Sequence, residues 1–381
     1  MSSSKKNVKK ELENIYKIFQ RDCEIDSVGR VLGSGAFGEV REIKYKNKNY
    51  AGKLSKKSNE EKCEEELYAN ELRGQNIIKI NKVITKKIGV DYYDLIIMEK
   101  AALRDLGKLN DFYHKHNLLK LIYQPFDEMS GDLLLRFYSR QIISALETLD
   151  RNYLVHYDIK PENLLITGNL AIKLSDFSLL TKVKNEEISI PGGTRGYLSP
   201  EYYKGRSVTP EEARKQDYFA LGSTLFILKF GKQMLKYRKS ENKKSNAYKV
   251  IDLLSKAIAD IQSNKTTDKD FVNFIISLIE YKPKDRPSFE QIYRNKWLNK
   301  DVKRLDNICN VFENDEEKLM MEFQKNDFLI KKEKELGIYS DEEEKHFDDS
   351  LNIQKILEKE EFNQEKPYRF RFKKKAKVNL H

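Results

Sequence analysis

The chain has 381 residues, of which 39% are hydrophobic, so it can bury a sizeable core as two domains or as one large two-lobed domain. It carries 71 basic and 60 acidic residues. We attribute the net charge of +11 to lysines spread over the whole surface. Three distant cysteines without a C-x-x-C pair argue against a zinc site or a disulfide framework, and no apolar run could span a bilayer. We therefore expect a soluble protein of a reducing compartment, in the cytoplasm, the nucleus or both.

The first 24 residues are polar and rich in lysine. Leu12, Ile15, Ile18 and Phe19 form only a weak apolar stripe at helical spacing. We predict a flexible N-terminal arm over residues 1–24 that ends in a short helix.

Three glycines with the spacing G-x-G-x-x-G follow at Gly33, Gly35 and Gly38. This motif alone is weak, because it also opens dinucleotide-binding folds, where the last glycine leads into a helix. Here Val40 and Ile43 continue an alternating pattern instead, which predicts a strand, a loop and a second strand. Glycines in such a loop let the backbone approach nucleotide phosphates closely.

A third strand is predicted around Tyr50–Leu54, with Lys53 in an A-x-K context, and the next segment is rich in glutamate. In that segment, the helical phase set by Leu72 places Glu65 on the buried face. Glu64 and Glu66 remain alternatives.

Three further elements lead to the middle of the chain. The apolar run at residues 94–101 predicts a buried strand that leads into a connector. Residues 118–129 form an insertion rich in apolar residues, and the sequence does not indicate its role. Residues 132–151 repeat apolar side chains at helical spacing, which predicts a long helix.

Residues 156–163, with the sequence HYDIKPEN, bring a carboxylate, an ammonium and a carboxamide into one short loop that Pro161 stiffens. Asp158 could accept a proton, Lys160 could neutralise a phosphate, and Asn163 could bind a metal ion. A hairpin is predicted next, followed by Asp176-Phe177-Ser178 and a polar segment over residues 181–191.

The loop resembles the catalytic loop of eukaryotic protein kinases, written H-R-D-x-K-x-x-N. The glycine-rich loop, the A-x-K strand, the segment at Asp176, the segment 193–201 (GTRGYLSPE) and Asp217 resemble other motifs of the family in the same order. Together they span residues 32–287. A lysine two residues after the aspartate is typical of the serine/threonine type.

The resemblance implies an α+β, bilobal protein kinase-like fold with ATP and Mg²⁺ in the cleft. The small antiparallel β-rich lobe would cover residues 25–101 and the mainly helical lobe residues 102–298, followed by a charged, partly helical tail over 299–381. Substrates would be proteins with serine or threonine acceptors.

The resemblance also implies a role for each matched residue. Asp158 would be the base, Lys160 would stabilise the transferring phosphoryl group, and Thr194 would seat the acceptor. Lys53, held by Glu65, would orient phosphates, and Asn163 and Asp176 would bind magnesium. The implied nucleotide-contacting residues are Leu32, Gly33, Ser34, Gly35, Ala36, Phe37, Gly38, Val40, Ala51, Lys53, Met98, Glu99, Ala101 and Asp176.

Two departures from the family pattern affect the interpretation. Tyr157 replaces an arginine that pairs with a phosphate on the activation segment, so we hypothesise that activity does not depend on phosphorylation there. Ser178 replaces a glycine. These changes keep open a pseudokinase that binds nucleotide and partners without catalysis, and a small-molecule phosphotransferase is a further alternative. Lys160, the 193–201 anchor and a predicted buried pair of Glu201 with Arg286 argue against the latter.

The tail lies outside the resemblance. Residues 368–375 alternate aromatic and basic side chains, a pattern that could bind nucleic acid or anionic lipid. A short edge strand or a solvated tail is the preferred interpretation. We expect a monomer.

Overall fold

The protein is described by a computed structural model. The residues that it describes are 2–35, 38–57, 68, 71–72, 74–101, 105–108, 131–167, 171–184, 186–205, 207–236, 243–264 and 267–300.

The smaller lobe is a five-stranded antiparallel sheet in the order β1-β2-β3-β5-β4. Its strands are β1 (Ile25–Gly35), β2 (Gly38–Tyr45), β3 (Lys48–Lys57), β4 (Ile80–Ile88) and β5 (Asp91–Met98). The two strands predicted around the glycines are confirmed as β1 and β2, which pair in antiparallel orientation. Ahead of β4, which begins at Ile80, Ile77 makes an isolated bridge to Leu174.

The N-terminal segment differs from the predicted flexible arm. Residues Ser2–Asp22 form one 21-residue helix, α1. Ile15, Tyr16 and Phe19 are buried in an apolar cluster with Ile43 and Leu54 of the sheet. The sequence stripe looked weak because charged residues surround it, yet burying three large side chains stabilises the docked helix by several kcal/mol, at roughly 1.5–3 kcal/mol each.

The larger lobe is mainly helical. Its helices are α2 (Gly131–Arg151), α3 (Pro200–Lys204), α4 (Pro210–Phe230), α5 (Lys243–Ser263), α6 (Lys269–Leu278) and α7 (Phe289–Tyr293). Helix α2 confirms the prediction for residues 132–151. Helix α4 begins with a capping box between Thr209 and Glu212, carries Pro210 in its first turn, and ends at Gly231 in the left-handed conformation.

Two short antiparallel ribbons position the loop that the sequence singles out. Strand β6 (Leu154–Val155) pairs with β9 (Thr181–Lys182), and β7 (Leu164–Ile166) pairs with β8 (Ile172–Leu174). The predicted hairpin is therefore confirmed as β7–β8. Residues 156–163 are held between the two ribbons.

One apolar core joins the inner face of the sheet to the helical lobe. It includes Ala51 and Met98 from the sheet, Ile142 from α2 and Phe219 from α4. The α+β bilobal architecture predicted from the sequence is confirmed. None of the helices in the described part of the chain has the length and apolarity needed to cross a membrane. The insertion at 118–129 and the tail at 301–381 lie outside the described residues.

Candidate active site

The loop after β6 gathers polar side chains around one carboxylate. Asp158 Oδ2 accepts hydrogen bonds from Lys160 Nζ at 2.7 Å and from Asn163 Nδ2 at 3.0 Å. Asp158 Oδ1 accepts the backbone N–H of Thr194 at 2.9 Å. Lys160 Nζ also donates to Thr194 Oγ1 at 2.7 Å. The structure thus brings together Asp158, Lys160, Asn163 and Thr194, all four of which the sequence singled out.

The loop backbone is fixed from below by a buried carboxylate on α4. Asp217 accepts the N–H of His156 at 2.7 Å and the N–H of Tyr157 at 2.9 Å. Burial raises the pKa of Asp217 to about 7, and the two N–H donors act in the opposite direction. Tyr157 has φ of 64°, a left-handed conformation that is uncommon outside glycine, so these two bonds help to hold a strained turn.

The side chain of Tyr157 is not directed toward a polar partner. Its ring is 1% exposed and belongs to an apolar cluster with Val183 and Ile190 of the segment after Asp176, and with Val208 and Ala213 near the start of α4. Its hydroxyl has no hydrogen-bond partner among the described residues. We call this set the Tyr157 cluster. Where the family pattern has a cation, this chain has an apolar contact to the same segment.

A second polar contact joins the sheet to the helical lobe. Lys53 Nζ lies 2.7 Å from Asp176 Oδ1. Burial disfavours the charge on Asp176, but the Lys53 ammonium outweighs it and keeps the pKa of this carboxyl below its usual value. Ser178, the residue in place of glycine, also donates a side-chain hydrogen bond to Asp176. No pattern in the sequence indicates the direct contact of Lys53 with Asp176.

His156 and Phe177 link the loop to the Asp176 segment. The imidazole is fully buried: its Nδ1 accepts the N–H of Asp158 at 3.2 Å, and its Nε2 lies 3.1 Å from the carbonyl oxygen of Ser175. The ring packs edge-on against Phe177, with centroids 5.6 Å apart. Burial lowers the pKa of His156, so the ring stays neutral and can accept the N–H of Asp158.

The residues implied for the nucleotide line the inner face of the sheet. Ala51 and Met98 are neighbours across β3 and β5 and are nearly buried, and Leu32 and Val40 pack on the same cluster. The N–H of Glu99 donates to the Lys79 carbonyl at 2.8 Å. Ala101, the connector residue two positions on, is half-buried.

The glycine-rich loop is described on both sides of its tip. Gly38 has φ of 141°, and a Cβ there would lie 1.9 Å from the carbonyl oxygen of Leu54, so only glycine fits. Gly33 and Gly35 end β1, and of Ser34 only the backbone is described. Ala36 and Phe37 lie outside the described residues, and so does Glu65, with its alternatives Glu64 and Glu66.

The polar groups fit a magnesium ion by their chemistry. Asn163 Nδ2 donates to the carbonyl oxygen of Asp158 at 2.8 Å as well as to its carboxylate, which leaves Asn163 Oδ1 as an acceptor. Asp176 stays ionised beside Lys53. Mg²⁺ prefers oxygen ligands and is usually held by one or two protein groups together with substrate phosphates. Within the described ranges no group of three or more His, Cys, Asp or Glu forms an all-protein metal site.

A buried ion pair anchors the segment that carries Thr194. Arg286 donates to both carboxylate oxygens of Glu201, at 2.6 and 2.8 Å, and both residues are at most 2% exposed. The pairing predicted from the sequence is confirmed. A bidentate pair of this kind leaves no buried charge unmatched, so its role is structural.

Comparisons with known proteins point to the same family as the geometry. The family model for the protein kinase domain matches residues 27–298. Aurora kinase from Saccharomyces cerevisiae is 29% identical over 279 residues, which cover 71% of this chain and 68% of that protein. Mitogen-activated protein kinase kinase 1c from Physcomitrium patens is 27% identical over 285 residues, or 71% and 75% of the two chains.

Rhodopsin kinase GRK1 from Rattus norvegicus is 29% identical over 268 residues, which cover 68% of this chain and 44% of that protein. The match to the family model extends over more than half of the chain and includes both lobes and every described residue of the site. The chain therefore belongs to the protein kinase domain family and is a protein kinase of the eukaryotic serine/threonine type.

Proposed function

We propose that this chain transfers the γ-phosphoryl group of ATP to serine and threonine hydroxyls of proteins, with Asp158 as the base. The observation that carries the proposal is the convergence of Lys160, Asn163 and Thr194 on Asp158. Phosphoryl transfer asks a protein mainly to position groups and to stabilise charge, and these contacts do both.

Asp158 would orient the acceptor hydroxyl and take up its proton. Oδ2 already accepts two hydrogen bonds, from Lys160 and Asn163, whereas Oδ1 accepts only the N–H of Thr194 and keeps a second lone pair for an incoming hydroxyl. Lys160 and Asn163 fix the carboxylate in one orientation, and fixed geometry is the larger part of what a catalytic base contributes.

Lys160 would stabilise negative charge on the transferring group. Its ammonium bridges Asp158 and the Thr194 hydroxyl, so it lies between the base and the segment that would seat the acceptor. A lysine at this position and a threonine opposite it support a serine/threonine acceptor.

Lys53 and Asp176 would serve the nucleotide side. Lys53 is nearly buried on β3, where its ammonium can meet phosphate oxygens once the nucleotide is bound. Asp176 and Asn163 would hold Mg²⁺, which neutralises charge on the β- and γ-phosphates when bound. Leu32, Val40, Ala51 and Met98 would form the apolar walls around adenine.

We also propose that activity does not depend on phosphorylation of the segment after Asp176. The Tyr157 cluster already packs that segment against the loop through Val183 and Ile190. A phosphate would find no cation at residue 157, since tyrosine carries no positive charge.

A radiolabelled-ATP assay with magnesium and a serine/threonine peptide library tests the proposal. Asp158→Asn should lower labelling by at least about a hundredfold, because a positioned base typically contributes 10²–10⁴. Asp252→Asn, on the exposed surface of α5, is the matched control and should label like the parent.

Equal labelling by the parent and Asp158→Asn would exclude catalysis by this site and favour a pseudokinase. Labelling of a small alcohol in place of any peptide would favour a small-molecule phosphotransferase.

A further inference from the structure

Helix α1 lies on the outer face of the sheet, the face opposite the core that joins the lobes. Its side chains Ile15, Tyr16 and Phe19 pack with Leu54 and Leu95, whereas Ala51 and Met98 belong to the core on the inner face. Successive residues of a strand point to opposite faces, so Leu54 points outward and its neighbour Lys53 inward. A contact on the outer face can therefore act on Lys53 and on the glycine-rich loop only through the strands.

One side chain of α1 reaches the backbone of those strands. The hydroxyl of Tyr16 lies 2.7 Å from the carbonyl oxygen of Glu39 and 2.8 Å from the carbonyl oxygen of Gly52, so the two acceptors share its single proton. The ring is 1% exposed, and burial raises the pKa of the hydroxyl, so it stays a neutral donor.

The two carbonyl groups belong to residues next to the glycine-rich loop and to Lys53. Glu39 directly follows Gly38, the last glycine of the loop, and Gly52 directly precedes Lys53. The two strands pair there, with Val40 opposite Lys53. The Tyr16 hydroxyl therefore ties the return strand of the glycine-rich loop to the strand that carries Lys53.

A charged network holds the helix in the correct register over this point. Arg41 Nε donates to Glu39 Oε1 at 2.6 Å, and Arg41 Nη2 lies 3.4 Å from Glu13 Oε1 on α1. The Arg41 guanidinium also lies over the Tyr16 ring, 5.3 Å from its centroid. Together these contacts aim the hydroxyl at the two carbonyls.

We propose that Tyr16 is a positioning residue for nucleotide phosphates, which acts by fixing the glycine-rich loop relative to Lys53. The inference rests on the proposed function for its ligand, ATP. It adds a residue from outside the family match, which begins at residue 27. Tyr16 does not touch the nucleotide and acts only through β2 and β3.

The test is Tyr16→Phe, which keeps the ring and its packing and removes the donor. We expect KM for ATP and the dissociation constant of MgATP to rise by roughly three- to tenfold, the worth of one hydrogen bond. The turnover number and KM for the peptide should stay within twofold of the parent. Tyr50→Phe, whose half-buried ring packs against the same cluster, is the matched control and should change none of these values.

Ile15→Ala separates positioning from simple stabilisation. It weakens the docking of α1 but keeps the hydroxyl, so it should lower the melting temperature with little change in KM for ATP. A lower melting temperature for Tyr16→Phe with an unchanged KM for ATP would overturn the inference. So would equal rises in KM for Tyr16→Phe and Ile15→Ala, which would assign the effect to docking alone.

The measurements also distinguish this inference from the proposed function. A parent that binds MgATP but labels no peptide would count against the proposed function only, and calorimetric affinities of the variants would then decide the role of Tyr16. A parent that binds no MgATP would overturn both.

Discussion

Lys53 and Asp176 form a direct ion pair, 2.7 Å from Nζ to Oδ1, although they lie 123 positions apart in the sequence. The pair joins β3 of the small lobe to the segment that follows β8 of the helical lobe. The residue that we propose for phosphate binding is thus in direct contact with the residue that we propose as a metal ligand. Burial opposes the charge on Asp176, but the Lys53 ammonium outweighs it and lowers the pKa of this carboxyl, so Asp176 stays ionised.

Magnesium dependence of nucleotide binding should be lost in Asp176→Ala. MgATP at about a hundred times its dissociation constant should stabilise the parent by about 2.7 kcal/mol, a shift of a few degrees in melting temperature. The variant should give the same small shift with and without magnesium. Asp252→Ala serves as the control in the same thermal melt, and a magnesium-dependent shift that survives in Asp176→Ala would contradict the assignment of Asp176 as a metal ligand.

Phosphorylation of the segment after Asp176 should be dispensable. The double variant Thr181→Ala with Ser189→Ala should keep the turnover number within about twofold, because Tyr157 contacts the segment through apolar packing. Steady-state kinetics on phosphatase-treated parent and variant measure this directly. A hundredfold loss would contradict the hypothesis.

The Tyr157 ring, and not its hydroxyl, should stabilise the loop. Tyr157→Phe removes a hydroxyl that has no partner in the described ranges, so the free energy of unfolding should stay equal or rise by up to about 1 kcal/mol. Tyr157→Ala empties the centre of the cluster and should cost about 3–5 kcal/mol. Urea denaturation measures both, and a large loss in Tyr157→Phe would reveal a polar role for the hydroxyl.

The Glu201–Arg286 pair should be indispensable for folding. Arg286→Met leaves a buried carboxylate without its cation and should lower the free energy of unfolding by about 3–5 kcal/mol. Arg286→Lys should recover only part of the loss, because lysine cannot donate the two parallel bonds. Lys256→Met breaks an exposed pair with Asp252 and should cost no more than about 0.5 kcal/mol, as measured by chemical denaturation.

Stability should depend on pH through His156. Burial lowers the pKa of this ring in the folded protein, whereas the unfolded chain binds a proton near pH 6.5. Asp158 and Asp176 favour the proton and Lys160 opposes it, but burial dominates. The contribution of neutral His156 is thus fully present above about pH 6.5 and decreases as the pH falls below it.

His156→Phe isolates this contribution, since every other titrating group is common to both proteins. The difference in free energy of unfolding between parent and variant should shrink as the pH falls from 6.5 to 5.5. Urea denaturation at the two pH values gives the difference. A difference that does not change with pH would show that His156 binds its proton equally well in both states.

Short-range patterns explain what the sequence could predict. Asp158, Lys160 and Asn163 lie within six residues of a loop stiffened by proline, so their spacing alone brings them together. The α2 helix has an unbroken apolar period, and the glycine spacing predicts the β1–β2 turn. Long-range contacts are harder to predict from the sequence. Nothing near Lys53 in the sequence identifies Asp176 as its direct partner.

Helix α1 shows why local signals fail at an edge of the fold. Lysines and glutamates on its exposed side dilute the apolar period, and the period alone does not indicate which surface the stripe will cover. Tyr16 falls between the apolar residues that the stripe singled out, Ile15 and Phe19. Its importance depends on two carbonyl groups that only the paired strands create.

The docking of α1 also determines where an expressed fragment of this kinase can start. The family match starts at residue 27, yet Ile43, Leu54 and Leu95 are buried under a helix that ends at residue 22. A fragment trimmed to the family boundary would expose a contiguous apolar patch on the sheet, a feature that drives association and precipitation. A fragment that keeps this face of the sheet covered must include Leu12. Fragments for expression and crystallisation should therefore start before residue 12.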